Sequence, residues 1–400
     1  MSERKGKRPR SAREEPWKPL DIDRVLAAAQ RRPISRRRFF SLAAYGTAAA
    51  WLAACSKDVS PRGKTGGVAS PGAAGPLEDE LIIYNWTNYL NEETIKAFEE
   101  EYGVTVRATD FFESNEELLA KIQGGARGYD LVAPTGYMVE IMAGENLLSP
   151  LDLERIPNLA NVEDRFLGLD FDPENTYHVP KDWGTTGFMY LTDKVSQDLT
   201  SWNDFYAVAP EYSGRYTVLD GAVEVTGSFL KRLGFSWNTT DQGEVDQAVE
   251  EMIKFKPHVE AITSTEYREL MGRADTWLAL GWNGDAFYIL EDQPSTKYVI
   301  PSEGTEFWVD CWSILADAPH PNLAHEWLNW ILTPEHQGVE TNFTYYASAV
   351  TGATEFTDEA IVNDPSIYPP EEVTNKLEAT SSDPTAFEQR NEAFTRFQSA

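Results

Sequence analysis

A chain of 400 residues exceeds one ordinary domain and predicts two, with ample length to bury a core. Its 64 Asp and Glu outweigh 35 Lys and Arg, and 13 of those bases fall in the first 55 residues, so the body is more acidic than the formal charge of −29 implies. Such a surface argues against nucleic acid and anionic ligands and attracts cations within a Debye length, although solubility or a salty habitat would select it too.

The basic head has a specific form. Ser35-Arg36-Arg37-Arg38-Phe39-Phe40 precedes an uncharged, Ala-rich stretch from Ser41 to Ala54, too short for a permanent bilayer span. This pattern resembles a twin-arginine export signal, and Leu52-Ala53-Ala54-Cys55 resembles a lipoprotein cleavage box in which Cys55 takes the lipid and becomes the mature N-terminus. An uncleaved anchor helix is the alternative. Either places the body outside the cytoplasm. Residues 1–55 are thus expected as the signal peptide and 56–79 as a flexible tether, since Gly, Ser, Ala and Pro there bury too little to order. Cys311 is the only other cysteine; with no disulfide within the body, it is expected as a small buried apolar residue.

From Leu81 short β-branched or aromatic runs alternate with helical patterns, which predicts a mostly parallel sheet with crossover helices. Leu81–Tyr84 is the first strand. Asn91 caps a helix with a stripe of Ile95, Phe98 and Tyr102, followed by a strand over 104–108. Ser114 and Glu117 form a capping box for a helix through Ile122, and 129–133 is the third strand. Beyond Trp183-Gly184-Thr185-Thr186-Gly187, strands are expected over 188–191 and 216–219. A helix capped by Asp241 carries Val245, Val249 and Met252, and a last helix opens at Asp383-Pro384 with Phe387, Phe394 and Phe397 on its packing face.

Two such lobes joined by crossing strands leave a cleft outside the carboxyl ends of the strands. Tyr84-Asn85-Trp86-Thr87-Asn88-Tyr89, Thr135-Gly136-Tyr137 and Trp282-Asn283-Gly284-Asp285 fall at such ends, and Phe307-Trp308-Val309-Asp310 again places a tryptophan just ahead of an aspartate. Indole faces beside isolated carboxylates suit aliphatic amines, because an ammonium is drawn to both and a methylene chain needs only ring surface.

With those blocks, and with Ile367-Tyr368-Pro369-Pro370 later, the body resembles a periplasmic spermidine/putrescine-binding protein, the receptor of a polyamine ABC importer. The resemblance implies a two-lobe α/β fold of the type II periplasmic-binding-protein kind, with lobe 1 over 80–188 and 309–354 and lobe 2 over 189–308 and 355–400. It implies ligand contacts from Trp86, Thr87, Tyr89, Thr135, Tyr137, Glu224, Trp282, Asp285, Trp308, Asp310 and Tyr345. Glu224, Asp285 and Asp310 would be the charge partners. Its implied partners are a polyamine, the importer's permease and a membrane reached through the lipid, with the receptor acting as a monomer.

Two positions depart from the family pattern: Gly221 and Asn88 stand where spermidine-preferring members carry acids. Asp285 matches the putrescine-preferring members, which leans the reading to a short diamine, and Asp220 beside Gly221 keeps spermidine open.

Chemistry of the chain's own is not expected. No G-x-S-x-G, H-E-x-x-H, G-x-G-x-x-G or Walker A pattern occurs, and the five histidines lack metal-ligand spacing, so neither cofactor nor metal is expected. His320 and His325 are expected in an exposed, Pro-broken segment, Asp130 as a structural cap or ion-pair partner, and the Glu113–Glu116 block as a helix start. Paired acids beside tryptophans also describe glycosidase clefts, the alternative of a different class. A receptor for another small solute is the nearer alternative; for an amino acid an Arg clamp would be needed, and the proposed cleft set holds none.

Overall fold

The computed structural model describes residues 75–400, so the expected signal peptide, Cys55 and nearly all of the tether lie outside the described residues. The first half of the fold comprises β1 (Glu80–Trp86), α1 (Glu92–Tyr102), β2 (Thr105–Phe112), α2 (Asn115–Gln123), β3 (Leu131–Val132) and α3 (Gly136–Gly144). Asn91 caps α1 by accepting from the Glu93 N–H, and Gly103 ends it at φ 67, the left-handed region that glycine reaches without a Cβ clash. Ser114 accepts from the Glu117 N–H, while the Glu117 carboxylate reaches one residue past the cap to accept from the Glu113 N–H, so the expected box starts α2 with Glu113 rather than Ser114 as the second donor. The buried face of α1 is narrower than its sequence stripe: Thr94 and Phe98 are buried, Ile95 and Tyr102 only partly.

A long strand, β4 (Val179–Leu191), then leads to β5 (Tyr216–Val218), α4 (Ala222–Arg232), α5 (Gln242–Phe255), β6 (Val259–Ile262), α6 (Tyr267–Gly272), β7 (Leu278–Trp282), α7 (Asn283–Asp292) and β8 (Thr296–Val299). The chain returns along β9 (Glu306–Ile314) to α8 (Pro321–Ile331) and α9 (Pro334–Thr344), and ends with β10 (Glu378–Ala379) and α10 (Pro384–Ser399). The sheet order is β2-β1-β3-β9-β4-β7-β5-β6, with β10 on β9 and β8 on β4.

The sheet is mixed rather than mostly parallel. β1 pairs in parallel with β2 and β3, and β5 with β6 and β7, as crossover helices require. β4 pairs antiparallel with β9, β7 and β8, and β9 also with β3, because one long strand leaves the first half and the other comes back. The Trp183–Gly187 segment, expected to precede a strand, is the middle of β4, whose 13 residues are all buried.

Two hydrophobic cores flank this central pair. One gathers Leu81, Phe98, Met138, Trp312 and Trp327; the other gathers Phe188, Trp202, Phe229, Met252 and Leu280. Ile361 and Ile367 pack in the first core, although 355–400 was expected wholly with the second lobe; Phe394 and Phe397 of α10 do pack in the second. Trp183, Trp202, Trp237, Trp312, Trp327 and Trp330 are each at most 4% exposed, as expected of packing tryptophans, and Cys311 is fully buried.

His320 and His325 correct the expectation of an exposed segment. The His320 ring and backbone N–H contact the buried Asp130 carboxylate, which also accepts from the Ile82 N–H, while His325 lies buried on α8. Asp130 is thereby a structural tie between β1 and α8. No described helix is long and apolar enough to cross a membrane.

Candidate functional site

Between the two cores lies a cavity enclosing about 720 Å³ of space free of atoms, part of it open to solvent. Of the eleven residues expected to meet a ligand, ten line it: Trp86, Thr87, Tyr89, Thr135, Tyr137, Glu224, Trp282, Asp285, Trp308 and Asp310. Tyr345 does not. It closes α9 at φ 59, donates from its hydroxyl to Glu291 and stacks on Phe287, while Tyr346, one residue on, faces the cavity.

The local chain explains the rest. Asn88 sits at φ 56, a left-handed turn that asparagine tolerates, and this swings Tyr89 inward past the end of β1. Trp86 is anchored by its indole N–H to the Ala133 carbonyl at 2.7 Å and meets Trp282 edge-on at 6.2 Å between centroids. Trp308 lies against Tyr346 at 5.0 Å, also edge-on. Across the β4–β9 ladder Trp308 is paired with Gly184, where a Cβ would stand 2.5 Å from the indole Cζ2, so glycine makes room for the ring.

Asp310 is held from two sides. The Thr135 hydroxyl donates to one oxygen at 2.6 Å, and Thr135 in turn accepts from the Asn115 amide at 2.9 Å. Thr135 occupies the N-cap of α3 without capping it, because its hydroxyl is committed to Asp310. The Tyr89 hydroxyl lies between Asp310, at 2.8 Å, and Asp182, which pairs with Asp310 across the ladder. One phenolic proton cannot serve two carboxylates, and like charges directly opposite repel. Lys181 eases this by pairing with Asp182 at 2.7 Å and lying over the Tyr89 ring. Burial, aided by the Asp182 charge, still pushes Asp310 up to about 7.

Glu224 projects from the first turn of α4 and Asp285 from that of α7, where exposed N–H groups favour negative charge. Burial raises Glu224 well above the ordinary carboxylate range, and the charges of Glu306 and Glu116 add to it. Its carboxylate folds back over Gly221, whose added Cβ would lie 2.1 Å from Oε2. The neighbouring Asp220 faces outward and contacts Gln398, so it does not replace a side chain at 221 inside the cavity.

Asp285 differs from an open ammonium receptor. The Tyr267 and Tyr346 hydroxyls donate to it, and Arg268 lies 3.5 Å away. Arg268 lines the cavity, which corrects the expectation of a cleft without arginine. Glu306, Glu113, Tyr288 and Tyr346 also line it and were missed. For Glu306 a signal existed: residues 306, 308 and 310 share one face of a strand, so an acid two residues before Trp308 points the same way as Trp308 and Asp310. Arg268 and Tyr346 carried no such signal. Among the described residues no group of three or more His, Cys, Asp or Glu is arranged to hold a metal ion.

Residues 93–369 match the family described as bacterial extracellular solute-binding protein. The chain is 33% identical over 302 residues to the spermidine/putrescine-binding periplasmic protein of Salmonella typhimurium, covering 75% of this chain and 86% of that one. It is 30% identical over 351 residues to the putrescine-binding periplasmic protein PotF of Escherichia coli, covering 82% and 94%. Among solved structures, the TpPotD lipoprotein of Treponema pallidum superposes with a TM-score of 0.72 at 28% identity, covering 80% of this chain and 99% of that one.

Proposed function

The chain belongs to the bacterial extracellular solute-binding proteins, and on that premise we propose that it captures a polyamine outside the cytoplasm and hands it to the permease of an ABC importer. The observation that carries this reading is the under-neutralised acidity of an aromatic cavity: Glu224, Glu306 and Asp310 all face it with raised pKa values. Buried carboxylates of this kind are costly until a cation completes them. An alkyl chain flanked by Trp86, Trp282 and Trp308 supplies the spacer, each well-placed cation–π contact adding roughly 0.5 to 2 kcal/mol.

Selectivity follows from the same cost. A monoamine leaves one acid cluster unpaired, and removing one partner of a buried pair typically costs about 3 to 5 kcal/mol, so diamines win over monoamines and neutral sugars. Arg268 beside Asp285 alters the expected division of labour. Asp285 is already compensated, so the ligand's charge is received chiefly by Glu224 and Asp310; putrescine stays ahead of spermidine on the acids missing at Gly221 and Asn88, not on Asp285.

Because the ligand touches segments from both cores, it favours the closed arrangement, and a permease that reads closure distinguishes loaded from empty receptor. The division into lobes at 188/189 and 308/309, export by the twin-arginine route, lipid on Cys55, membrane tethering and action as a monomer are parts of the same proposal; of 355–400, Ile361 and Ile367 go with the first core and α10 with the second. The basic, Ala-rich head and the lipoprotein nature of the Treponema pallidum neighbour support the export, lipid and tether, and the change of core along β4 and from β8 to β9 supports the two lobe boundaries.

Calorimetric titration of the full chain with putrescine, cadaverine, spermidine, butylamine and a neutral sugar tests the reading. Saturable heats with the diamines and none with butylamine or sugar are expected. A sugar response without an amine response moves the assignment to another solute, and release of product from a glycoside moves it to an enzyme.

A further inference from the structure

We propose that Glu306 is a second acid at the Glu224 end of the cavity and that one ligand ammonium lodges between the two carboxylates. This rests on the polyamine reading and goes beyond the residues that the sequence blocks pointed to.

The geometry begins with β9. Glu306, Trp308 and Asp310 alternate onto one strand face and all three line the cavity, so an indole stands midway between two acids whose Cα atoms are roughly 13 Å apart at the usual strand rise. A ligand lying along β9 therefore meets acid, ring and acid in turn. Glu306 is 2% exposed, yet it is not spent on an ion pair. The Thr186 hydroxyl donates to Oε2 at 2.7 Å and the Thr380 hydroxyl donates to Oε1. Two neutral donors fix the carboxylate's direction and leave its charge and remaining lone pairs available.

The surroundings are short of positive charge. Glu224, Glu306 and Glu116 influence one another, Tyr137 lies near all three, and Arg390 is the cation acting on them. Arg390 directs its hydrogen bonds to the Trp237 carbonyl and to Asn238, not to either glutamate. Among the described residues neither Glu224 nor Glu306 has an ion-pair partner within 4.0 Å. The strongest charge acting on Glu224 is Glu306, and burial raises both. A compact cation with three donors satisfies both carboxylates at once, whereas a neutral hydroxyl does not relieve their repulsion.

The test combines putrescine titration with thermal unfolding of the ligand-free full chain, for wild type, Glu306→Gln and Glu306→Asp. Losing an acid that repels Glu224 should raise the ligand-free Tm of Glu306→Gln while its putrescine affinity falls at least about thirtyfold. Glu306→Asp, which keeps the charge, should retain more affinity than Glu306→Gln. Wild-type affinity in Glu306→Gln overturns the assignment and leaves the polyamine reading standing. A lower Tm in Glu306→Gln, or equal losses of affinity in the Gln and Asp variants, overturns it in favour of a packing role for the Thr186 and Thr380 bonds. Failure of the wild-type chain to bind any amine overturns both.

Discussion

Single side chains decide whether the cavity holds a cation. Glu224→Gln and Asp310→Asn each remove a charge that the ligand completes, and titration should show losses of about 100-fold or more. Thr135→Ala removes only a hydroxyl that orients Asp310, so a loss several times smaller is expected; equal losses from all three would contradict the assigned roles. Titration behaviour follows from the same residues. Asp310 stands near 7 in the empty cavity and Glu224 and Glu306 are raised by burial, whereas a bound ammonium favours every ionised form. Binding therefore expels protons, and affinity should fall as pH drops from about 8 to about 6, by up to tenfold per unit for each proton released. Alkyl ammonium groups, with ordinary values near that of lysine at about 10.4, stay charged throughout this window. An affinity flat with pH would show that these acids are ionised before the ligand arrives.

At the scale of elements, β4 and β9 carry both architecture and site. Their antiparallel pairing sets Asp182 against Asp310 and Gly184 against Trp308, so one ladder supplies a charge, its reinforcing neighbour and room for an aromatic wall. Gly184→Ala would place a methyl 2.5 Å from Trp308 and 2.4 Å from the Asn283 amide oxygen. A cost of roughly 1 to 3 kcal/mol is expected, read as a Tm lowered by a few degrees together with weaker diamine binding. An unchanged Tm would mean that the indole is free to move aside. The middle of β4 shows where sequence reading stopped short. Trp183 to Gly187, with two glycines and two threonines, precedes the strand expected over 188–191, but pairing with β9 on one side and β7 on the other makes it strand as well. Tertiary partners, which periodicity does not contain, override local propensity there. Local signals served better where the physics is local: the Asn91, Ser114, Asp241 and Asp383 caps all stand where the sequence puts them. Arg268 and Tyr346 escaped notice because nothing within several residues of either reveals that α6 and the end of α9 converge on Asp285.

For the molecule as a whole, acids with raised pKa values make the empty receptor less stable as pH rises. Each such group gives stability that is fully present below its unfolded value near 4 and is lost as pH climbs through its folded value, about 7 for Asp310 and for the buried Glu340. The ligand-free Tm should decline between about pH 5 and pH 8, and putrescine should raise Tm more at the upper end. A ligand at 100 times its Kd adds about 2.7 kcal/mol, so this shift is readily measured. Surface acidity acts separately: neutralising distant acids should slow capture and leave the off-rate alone. The most direct test of the central claim, that buried acids and indoles from both cores meet in a cavity completed by an organic dication, is calorimetric titration of the full chain with putrescine in buffers of differing ionisation enthalpy near pH 7. Saturable binding accompanied by proton release is predicted; absence of a putrescine response alongside a saturable response to a neutral sugar would contradict the account.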